Sequence, residues 1–263
     1  MENNKDITPI FYSHASGKSI LTGWKESECV EGGPTSIIKL VKQAGLKKFI
    51  YVGSSFHDYV EILKNSEAAG LQMIFGLEIL MCPNSEEKTD EAIKSNHKII
   101  VFQKNSEGYK DLVKLYSKWK TNISNKYYEF RFDYKQLREC WTPNLSLALP
   151  FFNSFLAANT LQYNCIIIPD LPTEEVVLFR EVGLVHPHKD LIDFAVDEFN
   201  KEGKYEELAV KSIFYEKRED SKPWIVYKAI QSRGNFSAPK LEYLASDDFC
   251  WESYMELTKK AWI

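Results

Sequence analysis

Few residues in this chain combine a reactive type with a spacing that chemistry could use. His186-Pro187-His188-Lys189-Asp190 sets two imidazoles two residues apart, and on extended backbone neutral imidazoles at that spacing can share a metal ion. The same phrase reads equally as a polar turn ahead of the apolar-periodic segment that begins at Leu191, with Asp190 near its start. His57-Asp58 has a comparable pair of readings, a binding pair or the cap of the helix that follows. Glu78 closes an apolar run; left unpaired in a core, its carboxylate would cost several kcal/mol, so it must reach solvent or find a cation such as Lys98. Between Lys118 and Arg138, six basic residues (Lys118, Lys120, Lys126, Arg131, Lys135, Arg138) alternate with Trp119, Tyr127, Tyr128, Phe130, Phe132 and Tyr134. Cations on phosphates beside aromatic faces on bases can grip single-stranded nucleic acid, with Lys118, Lys120, Lys126 and Arg131 as the candidate contacts. Strict alternation from Tyr128 to Tyr134 is also what a half-buried strand shows. There is no Gly-x-Ser-x-Gly elbow, no Gly-rich phosphate loop, and no Cys/His pair in a nucleophile's context.

The elements that would position these groups alternate between helix and strand. Ile37, Ile38, Leu40, Val41 and Ala44 lie at helical spacing after Pro34-Thr35 and stop at Gly45. Strand 49–52, helix 58–69, strand 73–81, strand 98–102, helix 109–119 and strand 145–149 follow, then strand 165–168, helix 174–182, helix 191–199 and strand 210–214. Polar residues 83–95 read as a surface loop. Such a rhythm favours a mostly parallel sheet closed or half-closed into an α/β barrel. With no repeat and no linker-like tract, residues 1–263 read as one domain.

Bulk properties narrow the classes. Hydrophobic residues make up 44% and aromatic residues 14% of the chain, and no apolar run approaches the roughly 20 residues of a membrane span, so the reading expects a soluble protein and no membrane partner. The polar stretch Met1–Thr8 is unlike a secretory signal, and five dispersed cysteines suit reduced thiols, which together predict a cytoplasmic protein. A net charge of −4 argues against a general polyanion-binding surface while permitting a local basic patch.

Three phrases share order and spacing with a known family. They are Ala69-Gly70-Leu71-Gln72-Met73-Ile74-Phe75-Gly76-Leu77-Glu78; then Lys104-Asn105-Ser106-Glu107-Gly108-Tyr109-Lys110-Asp111-Leu112; then Glu219-Asp220, Ala229-Ile230-Gln231 and Phe249-x-x-x-Ser253-x-x-Glu256. Together they resemble the PHP (polymerase and histidinol phosphatase) domain that opens the alpha subunit of bacterial DNA polymerase III. The resemblance implies a distorted (βα)7 barrel, and a site at one end of it that holds up to three metal ions for phosphoester hydrolysis, where a metal activates water and a second positive centre holds the leaving oxygen.

Carried over residue by residue, the resemblance leaves little of that site. The family's opening His-x-His falls on Ser13 and Ala15, its Asp-His on Ser54 and Ser55, a strand-opening His on Lys98, a Cys on Phe151, and the late Asp-x-His on Ser212 and Phe214. Glu78 is the one ligand position retained. His14 and His97 each lie one residue from a lost position, but a one-residue slip in a strand turns a side chain to the opposite face. The reading is therefore a stand-alone, catalytically inert PHP-like domain with no catalytic or metal residues and no expected cofactor. It would act as a binding or scaffold module in DNA replication, docking on a separately encoded polymerase or clamp, since the polymerase's catalytic carboxylates lie in a palm domain beyond the stretch seen here. The alternative is a metal-dependent phosphoesterase or 3′–5′ exonuclease with a rearranged site using zinc, manganese or iron.

Overall fold

A computed structural model describes residues 7–12, 20–162, 166–231 and 248–260. In chain order the elements are β1 (Thr8–Tyr12), β2 (Leu21–Thr22), β3 (Thr35–Ser36), α1 (Ile37–Gln43), β4 (Lys48–Gly53), α2 (Tyr59–Ala68), β5 (Gln72–Cys82), α3 (Asp90–Lys94) and β6 (His97–Gln103). They continue with α4 (Ser106–Thr121), β7 (Lys126–Tyr127), β8 (Glu129–Phe130), β9 (Phe132–Asp133), α5 (Tyr134–Cys140), β10 (Leu145–Leu149) and α6 (Phe155–Leu161). The last are β11 (Val176–Glu181), α7 (Lys189–Phe199), β12 (Glu206–Ile213), α8 (Ser221–Gln231) and α9 (Trp251–Lys260). The chain groups into two compact units: one falls within 1–75, Glu181–His186 and 209–263, the other within Gly76–Arg180 and Pro187–Leu208.

In the first unit β1 is the middle strand. It pairs in parallel with β12, Phe11 opposite Ile213, and with β4, Ile10 opposite Ile50. Ile10 and Phe11 are both fully buried, because successive residues of a middle strand face covered sides. Aromatic side chains fill the unit: Phe11 packs edge-on to Phe49 and stacks on Trp251. Helix α1 starts where Ser36 Oγ accepts from Lys39 N at 3.3 Å, and it turns Ile37, Ile38, Leu40 and Val41 inward.

In the second unit the sheet runs β11-β10-β6-β5-β9. β10–β11 and β5–β9 are parallel, as the alternating rhythm predicts, but β6 lies antiparallel to both β5 and β10. Helix α4 buries Leu112, Leu115 and Trp119 along one stripe. The segment 174–182, read from sequence as a helix, is strand β11: Val176, Leu178 and Phe179 are buried, and Leu147, Ala148 and Leu149 of β10 pair with Val176, Val177 and Leu178. Glu174-Glu175 mimics an acidic first turn, but sheet pairing of a β-branched run outweighs that local signal. Of the strand expected at 165–168, Cys165 lies outside the described residues, and Ile166–Ile168 form no strand; Asn159 instead clasps Ile167 N and O with its amide at 2.7 and 2.9 Å. Residues 83–95 are more than a surface loop, since Thr89 caps α3 through Ala92 N, and buried Ser85 donates to Asp133 Oδ2 at 2.6 Å. Arg180 on β11 is held by Glu207 of β12 and by Asp193 and Asp197 of α7.

The phrase Lys104–Leu112 has a structural explanation. Asn105 Oδ1 accepts from Gly108 N at 2.8 Å and caps α4. A Cβ on Gly108 would stand 2.4 Å from the backbone oxygen of Asn144, the same oxygen that accepts from Lys104 N at 2.8 Å. Only a residue without a side chain lets helix and loop approach this closely. Gly108→Ala is expected to cost about 2 kcal/mol through overpacking, read as a lower urea midpoint with an unchanged m-value.

Candidate functional site

Glu78 sits within β5, and its Oε2 accepts from Lys98 Nζ of β6 at 2.7 Å. The register explains the meeting: Glu78 is opposite Ile100 and Leu80 is opposite Lys98, so Lys98 is Glu78's diagonal neighbour on one face of an antiparallel pair. The cation named from sequence as Glu78's partner is thus the one it meets. The carboxylate side chain is 16% exposed, half-buried between the extremes that make ion pairs costly or worthless. Around it the face is filled. Gly76 lies on the same side, and a Cβ there would overlap Ile100 Cγ2 and Phe102 Cε1, each at 2.6 Å, so these side chains occupy the space above the glycine.

His97 points the other way. It precedes Lys98 on a regular strand and therefore faces the opposite side, against α5 and α6. Its Nδ1–H donates to Ser95 O at 2.9 Å, its Nε2 accepts from the Tyr134 hydroxyl at 2.6 Å, and Phe155 packs edge-on to the ring. Burial pushes its pKa down to about 4, partly offset by the Ser95 carbonyl. Both ring nitrogens are committed, and His97 is a core residue.

The other positions singled out by the resemblance belong to several elements of the two units. Ser13, His14 and Ala15 lie outside the described residues. Ser54 and Ser55 follow β4. Phe151 is buried in the second unit, edge-on to Phe152 with the Lys189 ammonium 5.7 Å from its ring. In the first unit, Phe214 stacks on Tyr12 and packs against Trp224 and Phe249. Ser212 donates its backbone N–H and its hydroxyl to the two oxygens of buried Glu181, each at 2.7 Å. Sequence reasoning missed Glu181, because it lay in the segment misread as helix. The neighbouring Lys211 is fully buried and donates to Gly183 O at 3.0 Å; burial lowers its pKa, against the pull of Glu181.

His188 is the residue that precedes α7, and Asp190 adds negative charge to the helix's first turn. Asp58 precedes α2 but makes no capping bond; its Oδ1 meets His57 Nδ1 at 2.6 Å. In the basic, aromatic segment Lys118 pairs with Glu139 at 2.6 Å, Lys120 lies 3.6 Å from the centre of the Trp119 ring, and Lys126 is exposed near Phe130. Arg131 is a correction: it is fully buried and donates through Nη2 to the carbonyls of Glu87 and Ser85, so no phosphate reaches it. The alternation that suggested one strand is broken at Tyr128, whose φ of 59° makes the turn between β7 and β8, and Tyr134 opens α5 instead of ending a strand.

A family model for the PHP domain matches residues 27–210, well over half of the chain. The chain belongs to the PHP domain family. Its fold is accordingly the α/β barrel type of that family, with β6 reversed as described. No curated protein sequence matches the chain. Ser13, Ala15, Ser212 and Phe214 fall outside the matched PHP stretch, whereas Ser54, Ser55, Glu78, Lys98 and Phe151 fall inside it.

Among the described residues, the side chains at these positions do not fit the metal cluster that the family resemblance implies. Among the described residues no group of three or more His, Cys, Asp or Glu side chains is arranged to hold an ion. Glu78 is the carboxylate at the retained position, and its nearest charged partner is an ammonium, which repels a cation. Among the described residues no helix is long and apolar enough to cross a membrane.

Proposed function

We propose that this PHP-family chain is catalytically inert and serves as a binding or scaffold module in cytoplasmic DNA replication, docking on a separately encoded polymerase or clamp. The observation that carries the reading is the Lys98–Glu78 pair at 2.7 Å, beneath a face occupied by Ile100 and Phe102. In a hydrolytic site that carboxylate would hold a metal; here its charge is met by the protein itself. The family phrases that remain do structural work: Asn105 and Gly108 cap and seat α4, and Glu256 forks onto Arg218 with bonds of 2.8 and 2.6 Å. The replication role rests on the resemblance to the polymerase alpha subunit.

The purified chain is expected to carry less than one equivalent of zinc, manganese or iron by elemental analysis, and to release neither 3′-terminal nucleotides nor phosphate from small esters. Stoichiometric metal with hydrolysis lost in Glu78→Ala would replace this reading with that of a phosphoesterase or exonuclease. Sedimentation with the replicative polymerase subunit and clamp from the same source should show a complex with at least one. Failure to bind either removes the replication part while leaving inertness to be judged on the metal result.

A further inference from the structure

Two lysines gather at one aromatic ring where the last turn of α4 meets the ribbon β7–β8, and a second ring is turned outward two residues away. Lys126 and Phe130 are directly opposite in the antiparallel register, so they share a face of the ribbon, whereas Tyr127 and Glu129 share the other. Lys126 Nζ lies 5.7 Å from the centre of the Phe130 ring. Lys120 Nζ, from α4, lies 5.7 Å from the same centre and 3.6 Å from that of Trp119, so the two ammonium groups stand within twice 5.7 Å of each other. The platform beneath them is fixed, since Trp119 is buried and its Nε1 donates to Phe130 O at 2.9 Å. Neither lysine has an ion-pair partner among the described residues. Burial lowers the Lys120 pKa, and Glu129, on the face of the ribbon away from Lys126, offsets this only in part.

Tyr128, the turn residue of the ribbon, is 76% exposed and has a φ of 59°. A bulky residue takes a positive φ at a cost that glycine or asparagine avoids. Its edge contact with Tyr127, ring centres 4.8 Å apart, leaves most of the ring in solvent, so packing does not account for an aromatic side chain here. An exposed flat ring beside two cations matches a ligand that has both flat faces and negative charge. An acidic peptide brings the charge without the flat faces, and a duplex keeps its base faces stacked inside. We propose that the last turn of α4 and the ribbon β7–β8 bind single-stranded nucleic acid, Lys120 and Lys126 holding backbone phosphates and Tyr128 stacking a base. Of the four basic residues expected from sequence, Lys118 is paired with Glu139 and Arg131 is buried, which leaves these two lysines. The site rests on the replication reading above and adds to it the class of ligand.

A fluorescein-labelled oligothymidylate is titrated with the full chain and followed by anisotropy at several salt concentrations. The association constant should fall with salt along a log–log slope of about −1.4, as expected for two phosphates of a single strand. Lys126→Gln should reduce that slope to about −0.7. Tyr128→Asn should weaken binding about tenfold while leaving Tm unchanged or raised, because asparagine accepts a positive φ. Lys110→Gln, which removes one charge from the ion pair with Glu107 near the start of α4, should bind like the parent. Absence of salt-dependent binding overturns the proposal, as does parental affinity in Lys126→Gln or Tyr128→Asn. So do equal losses in Lys126→Gln and Lys110→Gln, or polyglutamate that displaces the strand as well as unlabelled oligothymidylate does. None of these outcomes bears on metal content or on polymerase docking, which test the replication reading separately.

Discussion

Phe214→Ala is expected to destabilise the protein by about 3–5 kcal/mol, the cost of removing a buried ring together with the cavity it leaves. Phe214 is 6% exposed, with ring centres of Tyr12 and Trp224 each at 4.8 Å and that of Phe249 at 5.6 Å. Three aromatic neighbours cannot all close a hole of that size, so the loss should lie toward the upper part of the range. Phe151→Ala should fall in the same range, with Phe152 as its immediate ring neighbour. Urea unfolding of the two variants checks both. If Phe214 were instead a surface residue of a working site, its removal would leave the midpoint unchanged within about 0.5 kcal/mol.

Between pH 6.5 and pH 4 the fold should lose about 3 kcal/mol through His97 alone. Burial places its folded pKa at about 4, below the 6.5 of an exposed histidine. The unfolded chain therefore takes up a proton in this window that the folded chain refuses, so stability falls as pH falls and is fully present above pH 6.5. Groups near the imidazole do not reverse the sign: Tyr134 faces it with a hydroxyl whose pKa burial raises, and Ser95 faces it with a carbonyl. His97→Gln can still accept from Tyr134 and donate to Ser95, without titrating. Urea midpoints measured from pH 4.5 to 7.5 should slope more steeply for the parent than for the variant. Parallel slopes would show that His97 is as protonated in the fold as out of it.

Much of the fold was legible in the sequence wherever local signals and tertiary packing agree. Leu145–Leu149 is a strand in both readings, and helix α4 is announced by Leu112, Leu115 and Trp119 at helical spacing. The failures came where a longer-range partner decides. Nothing local in 174–182 reveals that β10 will pair with it, and nothing in 128–134 shows that Tyr128 will adopt a positive φ. The antiparallel course of β6 is equally invisible, since an apolar run of seven residues fits either direction. At the candidate site, charge arithmetic narrowed Glu78 to solvent or a cation such as Lys98, because a carboxylate at the end of an apolar run needs one or the other, and the structure places Lys98 beside it. It could not find Glu181 with Ser212, nor the fate of Arg131, since each depends on residues about thirty or more positions away.

The Arg180 clamp bears on the order in which the chain folds. Its partners Asp193, Asp197 and Glu207 all follow it within 27 residues, so the clamp closes a short loop whose entropic cost is modest. Contacts of such low sequence separation can form early, before the pairings that join distant parts of the chain. Helix α7 can thus be held against the ends of β11 and β12 while the remaining sheet is still being assembled, and its exposed Leu191 and Phe194 take no part in that step. A change at Arg180 would then act more on the rate of folding than on the rate of unfolding.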